Sequence, residues 1–239
     1  GMAGWEGDGK MFYENIEPAI FISRPNRFIA DIETASGQKV CHVKNTGRCR
    51  ELLIPGARIF VQRRESPSRK TGYDLISVWK GSRLVNIDSS APNRVFAEWL
   101  RDGGLFPAPA LIRPERRFGN SRFDFYLEAG GRRAFAEVKG VTLEENGVAL
   151  FPDAPTERGV RHLRELIACV ESGYDAYMAF IVQMKDVRRM EPNWKMHPAF
   201  GQALSAAERA GVHILALDCR VTEDSITAAD PVPVVNGQG

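Results

Sequence analysis

A change of rhythm near residue 90 constrains the fold of this 239-residue chain more than any other feature. Between residues 18 and 88 the sequence offers only short β-forming runs: PAIFISRPNRFIADIET, QKVCHVKN, ARIFVQRRE and YDLISVWK. Each mixes β-branched with aromatic residues and is bounded by breakers, with turns at Ser36-Gly37, Pro55-Gly56 and the polar loop at 66–72. About five strands with almost no helix in so short a span predict a small closed barrel, of the oligonucleotide-binding type first. From 89 to 228 helices enter. SSAPNRVFAEWLRDGG places Val95, Phe96, Trp99 and Leu100 on one helical face, with Pro92 near its start and Gly103-Gly104 after its end. LIRPERRF, SRFDFYLE and RAFAEVKG read as a three-strand meander. TERGVRHLRELIACVESG is a second helix with Val160, Leu163, Leu166, Ile167 and Val170 as its apolar stripe. AYMAFIVQ is a buried strand, and PAFGQALSAAERAG with VHILALDC adds a helix and a strand. The expected class is α+β in two domains, 18–88 and 89–228, after an extension at 1–17 that opens with Gly1-Met2, read as a tag remnant. A flexible tail is expected at 229–239.

Bulk properties exclude little else. The chain is 44% hydrophobic and 26% charged, an ordinary globular composition. No apolar run approaches the ~20 residues a membrane helix needs, and no signal-peptide pattern opens the sequence, so no membrane partner and a cytoplasmic location are expected. Cys41, Cys49, Cys169 and Cys219 lack CxxC spacing and are expected as free thiols. A net charge of +2 leaves nucleic-acid binding to local clustering, and leaves oligomeric state open.

The meander holds the pattern with chemical content. If Gly130-Gly131 centres its second turn, Asp124 lies directly across from Glu137, and Lys139 shares their face two residues on. If Gly119-Asn120 centres the first turn, Glu115 lies across from Asp124 on the other side. The opposite face then takes Phe118, Phe123, Phe125, Leu127, Ala136 and Val138. Directly opposed carboxylates destabilise a sheet, and two explanations offer themselves. Arg113, Arg117 and Arg122 neutralise them in a surface ladder, or a divalent cation sits among them. Mg²⁺ takes carboxylate oxygens together with water and phosphate oxygens, and a neighbouring lysine stabilises charge developing on a phosphate.

An acidic residue on one strand and Glu-x-Lys on the next, between helices, resembles the PD-(D/E)XK nuclease core, with Asp124, Glu137 and Lys139 in the matching places. The resemblance implies that Asp124 and Glu137 bind Mg²⁺ or Mn²⁺ and that Lys139, the third catalytic residue, serves the attacking water. It implies a further acidic ligand on the preceding helix, where Glu98 stands. Over most of its length the chain also resembles the sugar fermentation stimulation protein A family. RFIADIE, HVKNTGRCRELLIPG, RKTGYDL, LVNIDSSAPN, RFGNSRFDF, EVKGVTLEENGVALFPDAPTERGVRHLREL and GVHILALDC carry that likeness. It implies a DNA-binding protein with a barrel followed by a nuclease-like domain. The function expected is metal-dependent phosphodiester hydrolysis; the alternative is a catalytically silent DNA-binding regulator of sugar (maltose) metabolism genes. Met184 and His197 depart from that family's pattern, where Arg and Asp are expected.

Basic residues supply the expected nucleic-acid contacts: Arg48, Arg50, Arg63, Arg64, Arg69 and Lys70 on the barrel, Arg122 on the meander, and Arg158 and Arg161 on the second helix. His162 falls in that helix's basic stripe. His42, His162, His197 and His213 show no metal spacing and read as structural. Thr156 is the expected cap of the second helix, and Asp153 just before it either braces that turn or faces a phosphate.

Overall fold

The structure, a computed structural model, describes residues 10–45, 47–66, 68, 71–107 and 111–237. Six strands form the first sheet: β1 (Ile16–Asn26), β2 (Ile29–Thr34), β3 (Gly37–His42), β4 (Arg58–Arg63), β5 (Tyr73–Lys80) and β6 (Arg83–Asn86), in the order β3-β2-β1-β4-β5-β6. A parallel pairing of Cys41 with Tyr73 and His42 with Asp74 joins β3 to β5. Strands β1 to β5 thereby close into the expected five-stranded barrel, with β6 outside the ring. One long strand makes closure possible. The first half of β1 pairs with β4 and the second half with β2, and irregularities between Phe21 and Asn26 bend it round the corner. Period-two alternation sends Ala19, Phe21, Ala30, Ile32, Cys41, Ile59 and Val61 into the interior, and an irregularity in the β4–β5 ladder turns both Leu75 and Val78 inward.

After α1 (Ala91–Arg101) come β7 (Leu111–Phe118), β8 (Ser121–Ala129), β9 (Arg132–Val141), β10 (Leu143–Glu145), β11 (Val148–Phe151), α2 (Glu157–Glu171), β12 (Asp175–Val182), β13 (Arg189–Pro192), α3 (Pro198–Arg209), β14 (His213–Thr222) and β15 (Ser225–Pro231). The main sheet runs β15-β14-β12-β9-β8-β7, with β9, β12 and β14 parallel. From Ala176 onward strand β12 is buried throughout because both of its faces are covered. Tyr177, Ala179 and Ile181 pack with Val95, Phe96 and Leu100 of α1, while Ala176, Met178 and Phe180 pack with Leu163 and Leu166 of α2 and Phe200 of α3.

Three features depart from expectation. A small sheet of β10, β11 and β13 lies beside the main one, its hairpin turning at Asn146 and Gly147, both at positive φ. The terminal segment is docked rather than loose: β15 pairs with β14, Val232 is buried, and Val234 bridges to Met190. Residues 10–17 are likewise engaged, since Met11 and Tyr13 are buried and the Tyr13 hydroxyl donates to Asp88 at 2.8 Å.

The barrel and the main sheet share one hydrophobic core. Phe21, Ile32 and Val61 belong to the same cluster as Val141, Leu163, Phe180 and Phe200. Polar contacts stitch the seam. The Asn86 N–H donates to the Gln183 carbonyl and the Gln183 amide donates back to Asn86 Oδ1, both at 2.9 Å. Glu144 on β10 accepts Lys80 at 2.9 Å and Arg83 at 3.0 Å. All four cysteines are free and buried. Among the described residues no helix is long and apolar enough to cross a membrane.

Candidate metal and nucleic-acid site

The site arises where the meander splays. The β8–β9 ladder obeys the register set by Gly130-Gly131 and stops at Phe125 paired with Ala136. Asp124 and Glu137 are the next positions, just inside the fork. On the other flank β7 and β8 keep the register set by Gly119-Asn120, but the ladder skips Glu115, which sits at φ +53° after Pro114. A proline and a left-handed residue are tolerated there because β7 is the edge strand.

Freed from the ladder, backbone and side chains satisfy one another. The Val138 N–H donates to Asp124 Oδ2 at 2.8 Å, and the Asp124 N–H to Glu137 Oε2 at 3.3 Å. Asn93, in the first turn of α1, donates to Asp124 Oδ1 at 3.3 Å. Glu137 is only 4% exposed. Burial, and then the nearby negative charge of Asp124, push its carboxyl well above the ordinary range, with Lys139 pulling the other way. Lys139 Nζ lies 3.6 Å from Glu137 Oε1 and 2.9 Å from His162 Nδ1, which is itself 3.2 Å from Glu137 Oε1. Burial depresses the Lys139 ammonium below its usual value. His162 is driven down to about 3 by burial and by the charges of Lys139, Arg158 and Arg161, so the ring is neutral and accepts from Lys139.

The structure thus brings together Asp124, Glu137 and Lys139, and adds Asn93 and His162. His162 does not belong to the basic stripe of α2. It lies four residues before Leu166 and three after Gly159 on the buried face, a spacing that identifies it in the sequence. Glu115 and Glu98 are not in the cluster. Glu115 is half exposed and bound to Arg122 at 2.6 Å, because the left-handed turn at 115 carries its carboxylate away from Asp124. Glu98 follows Asn93 by five residues, about 140° around the helix, and its carboxylate accepts from the Met11 main chain. Among the described residues no three His, Cys, Asp or Glu side chains converge on one metal position. The packing of Phe118 and Phe123 also differs from expectation: they stack with Phe135 on the α2 side, while Phe125, Leu127, Ala136 and Val138 pack toward α1. Strand β8 twists between Phe123 and Phe125, at the fork.

Two adjacent carboxylates, one raised by burial and by the other, with a single lysine beside them, suit an oxygen-seeking divalent cation that completes its shell with water and phosphate oxygens. A cavity of 440 Å³ opens beside them between barrel and sheet, lined by Asn45, Ser89, Asp153 and Thr156 among others. Pro92 and Gly140, the neighbours of Asn93 and Lys139, form part of its wall. Thr156 caps α2 as expected, its hydroxyl accepting the Gly159 N–H at 2.9 Å. Asp153 braces its turn against the barrel, its carboxylate accepting the Cys49 N–H at 3.1 Å. His197 accepts the Thr156 N–H at 3.1 Å, and Met184 is fully buried in the core.

The basic residues divide into two groups. Arg48 and Arg50 line a second cavity of 530 Å³ with Arg24 and Arg27, and Arg158 is near enough to the cluster to act on Lys139 and His162. Arg63 and Arg64 instead neighbour Glu17, Glu65 and Asp74 at 3.6–3.9 Å. Arg122 is held by Glu115, and Arg161 pairs with Glu165 at 3.6 Å. Arg69 and Lys70 lie outside the described residues.

Residues 22–87 match the SfsA N-terminal OB domain, and residues 90–225 match the sugar fermentation stimulation protein RE domain. A sugar fermentation stimulation protein homolog of Desulfitobacterium hafniense is 62% identical over 94% of this chain and 98% of its own. One from Clostridium beijerinckii is 55% identical over 94% of this chain and 100% of its own. The solved structure of SfsA from Pyrococcus furiosus in complex with Ca²⁺ is 29% identical, covers 94% of this chain and 98% of that one, and superposes with a TM-score of 0.85. The chain belongs to the sugar fermentation stimulation protein (SfsA) family.

Proposed function

We propose that the protein is a divalent-metal-dependent nuclease acting on DNA. The observation that carries this reading is the fork: Asp124, Glu137 and Lys139 gather at a point where the sheet gives up main-chain pairing, one residue along the chain from the wall of an open cleft. The Pyrococcus furiosus relative was solved in complex with Ca²⁺, which supports divalent-ion binding by this chain. Asp124 and Glu137 would hold Mg²⁺ or Mn²⁺, which supplies a polarised phosphoryl oxygen and a bound water of lowered pKa. Lys139 faces the same point and stabilises negative charge developing on the phosphate. His162 fixes the lysine by accepting a hydrogen bond from one of its N–H groups, leaving the others free to donate elsewhere. Asn93 and the Val138 N–H hold the Asp124 carboxylate at its angle. Arg158, exposed at the first turn of α2, is placed to meet an approaching phosphate.

Labelled DNA and RNA, single- and double-stranded, incubated with Mg²⁺, Mn²⁺ or EDTA test the proposal. Cleavage of DNA is expected with Mg²⁺ or Mn²⁺ only, and both Asp124→Asn and Lys139→Ala should slow it by about a hundredfold or more, the scale of losing one charge-stabilising group. Cleavage indifferent to EDTA, or to both substitutions, overturns the reading. Salt-sensitive DNA binding with no cleavage at all favours a catalytically silent DNA-binding regulator, which the naming of the relatives suits.

A further inference from the structure

The second cavity lies on the barrel and is not part of the carboxylate site. Its 530 Å³ are bounded by Arg24, Asn26, Arg27, Arg48, Arg50 and neighbouring backbone, and it shares Arg27 and Gly47 with the 440 Å³ cleft beside Lys139. The two are therefore contiguous, and the cleft runs on from the barrel to Pro92 and Gly140, the chain neighbours of Asn93 and Lys139. Arg27, Arg48 and Arg50 are exposed, and none is ion-paired among the described residues. Arg24 plays a different part. Its guanidinium donates to the carbonyls of Arg27, Asn45, Gly47 and Arg48 at 2.8–3.1 Å, tying the β1–β2 turn to the loop that carries Arg48.

At the tip of that turn stands Phe28, 50% exposed, with the Arg27 guanidinium 4.8 Å over its ring. The turn is fixed beneath it, because the Asn26 side chain accepts the N–H groups of Phe28 and Ile29 at 2.8 and 3.2 Å. A large apolar ring held rigidly in solvent against Arg27, with Arg48 and Arg50 in the cavity that Arg27 also lines, is the combination by which single-stranded nucleic acid is gripped: stacking for a base, cations for the backbone. The dimensions agree. Each cavity has the volume of a small-molecule site, enough for a nucleotide or two and too small for a duplex turn, and the Cys49–Asp153 bond closes the barrel against the turn before α2.

We propose that this path binds single-stranded DNA, with a base on Phe28 and phosphates on Arg27, Arg48 and Arg50, and leads the strand to the carboxylate site. The delivery step rests on the nuclease reading above; the binding step does not. Fluorescence anisotropy in EDTA, with fluorescein-labelled oligothymidine, a matched duplex and oligouridine, tests it without cleavage. Oligothymidine should bind at least tenfold more tightly than duplex. Phe28→Ala should weaken it about tenfold, Phe28→Trp should not, and Arg48→Ala/Arg50→Ala should reduce the slope of log affinity against log salt by about 1.4. Equal affinity for single strand and duplex, or an unchanged affinity in a folded Phe28→Ala protein, overturns the site, and tighter binding of oligouridine overturns its assignment to DNA. Strand binding without cleavage in Mg²⁺ would remove the nuclease reading and leave this site standing; cleavage without strand preference would do the reverse.

Discussion

Glu137 occupies a position that folding by itself disfavours: buried, beside another carboxylate, with one lysine shared between them and a neutral histidine. Its folded carboxyl holds a proton more tightly than the unfolded chain would. Its ionisation therefore lowers stability as pH rises from the ordinary carboxylate range through the raised folded value. Glu137→Gln is expected to raise the melting temperature of the metal-free protein at pH 8 by about 2–4 °C, the shift produced by ~1 kcal/mol in a chain of this size. Mg²⁺ should stabilise the parent protein and not the variant; calorimetry with and without EDTA checks both. His162 has the opposite sign. Its folded pKa of about 3 lies below the free value of 6.5, so the native state binds fewer protons than the unfolded chain between those values. Stability from this source is complete above 6.5 and is lost on acidification toward 3. His162→Gln should flatten the fall in melting temperature between pH 6.5 and 4. The pairing of Asp124 with Glu137 followed from turn counting, because two-residue glycine turns fix register. The exclusion of Glu115 did not, because it depends on one left-handed residue and on the reach of Arg122.

Strands and helices were legible where one local pattern dominates. The unbroken apolar run of β12 and the apolar stripe of α2 follow from local pattern alone. The hairpin β10–β11 carried the strongest short-range signal available, Asn146-Gly147 at positive φ, but its strands are too short to declare themselves. The terminal strand was hidden by its prolines, which argue against a central strand yet suit one that closes a sheet's edge. Strand β15 is such an edge, and the chain beyond it continues the docking: the Val232 N–H donates to Ala216 at 2.9 Å and Lys185 reaches Asp230 at 3.0 Å. Ending the chain after Ala229 is expected to cost about 2 kcal/mol in buried apolar surface and contacts, lowering the melting temperature by about 4–8 °C. A thermal scan of the truncated protein measures it.

For the whole molecule, the division into a strand-rich and a mixed part was visible in composition, whereas the continuity of their cores was not. That Phe21 and Phe180, so far apart in sequence, belong to one core leaves no mark on local pattern. Glu144 illustrates how the parts are clasped. Burial opposes its ionisation, but the Lys80 ammonium, the Gly147 N–H and the Arg83 guanidinium outweigh it and hold the carboxyl below its usual value. Glu144→Ala leaves two cations facing a vacated partner and is expected to cost about 3 kcal/mol. Because the core is common, unfolding should remain a single transition by circular dichroism and by tryptophan fluorescence; two separated transitions would show that the parts melt independently. The side-chain bond from the Gln183 amide to Asn86 Oδ1 carries this into heredity, whereas the main-chain bond beside it would survive any side chain. Each residue lies in a different half, and the Asn86 carbonyl oxygen answers the Gln183 amide, so a lineage that alters one side chain is under pressure to alter both. A barrel borrowed from a distant cousin would arrive without its matching half of the bargain.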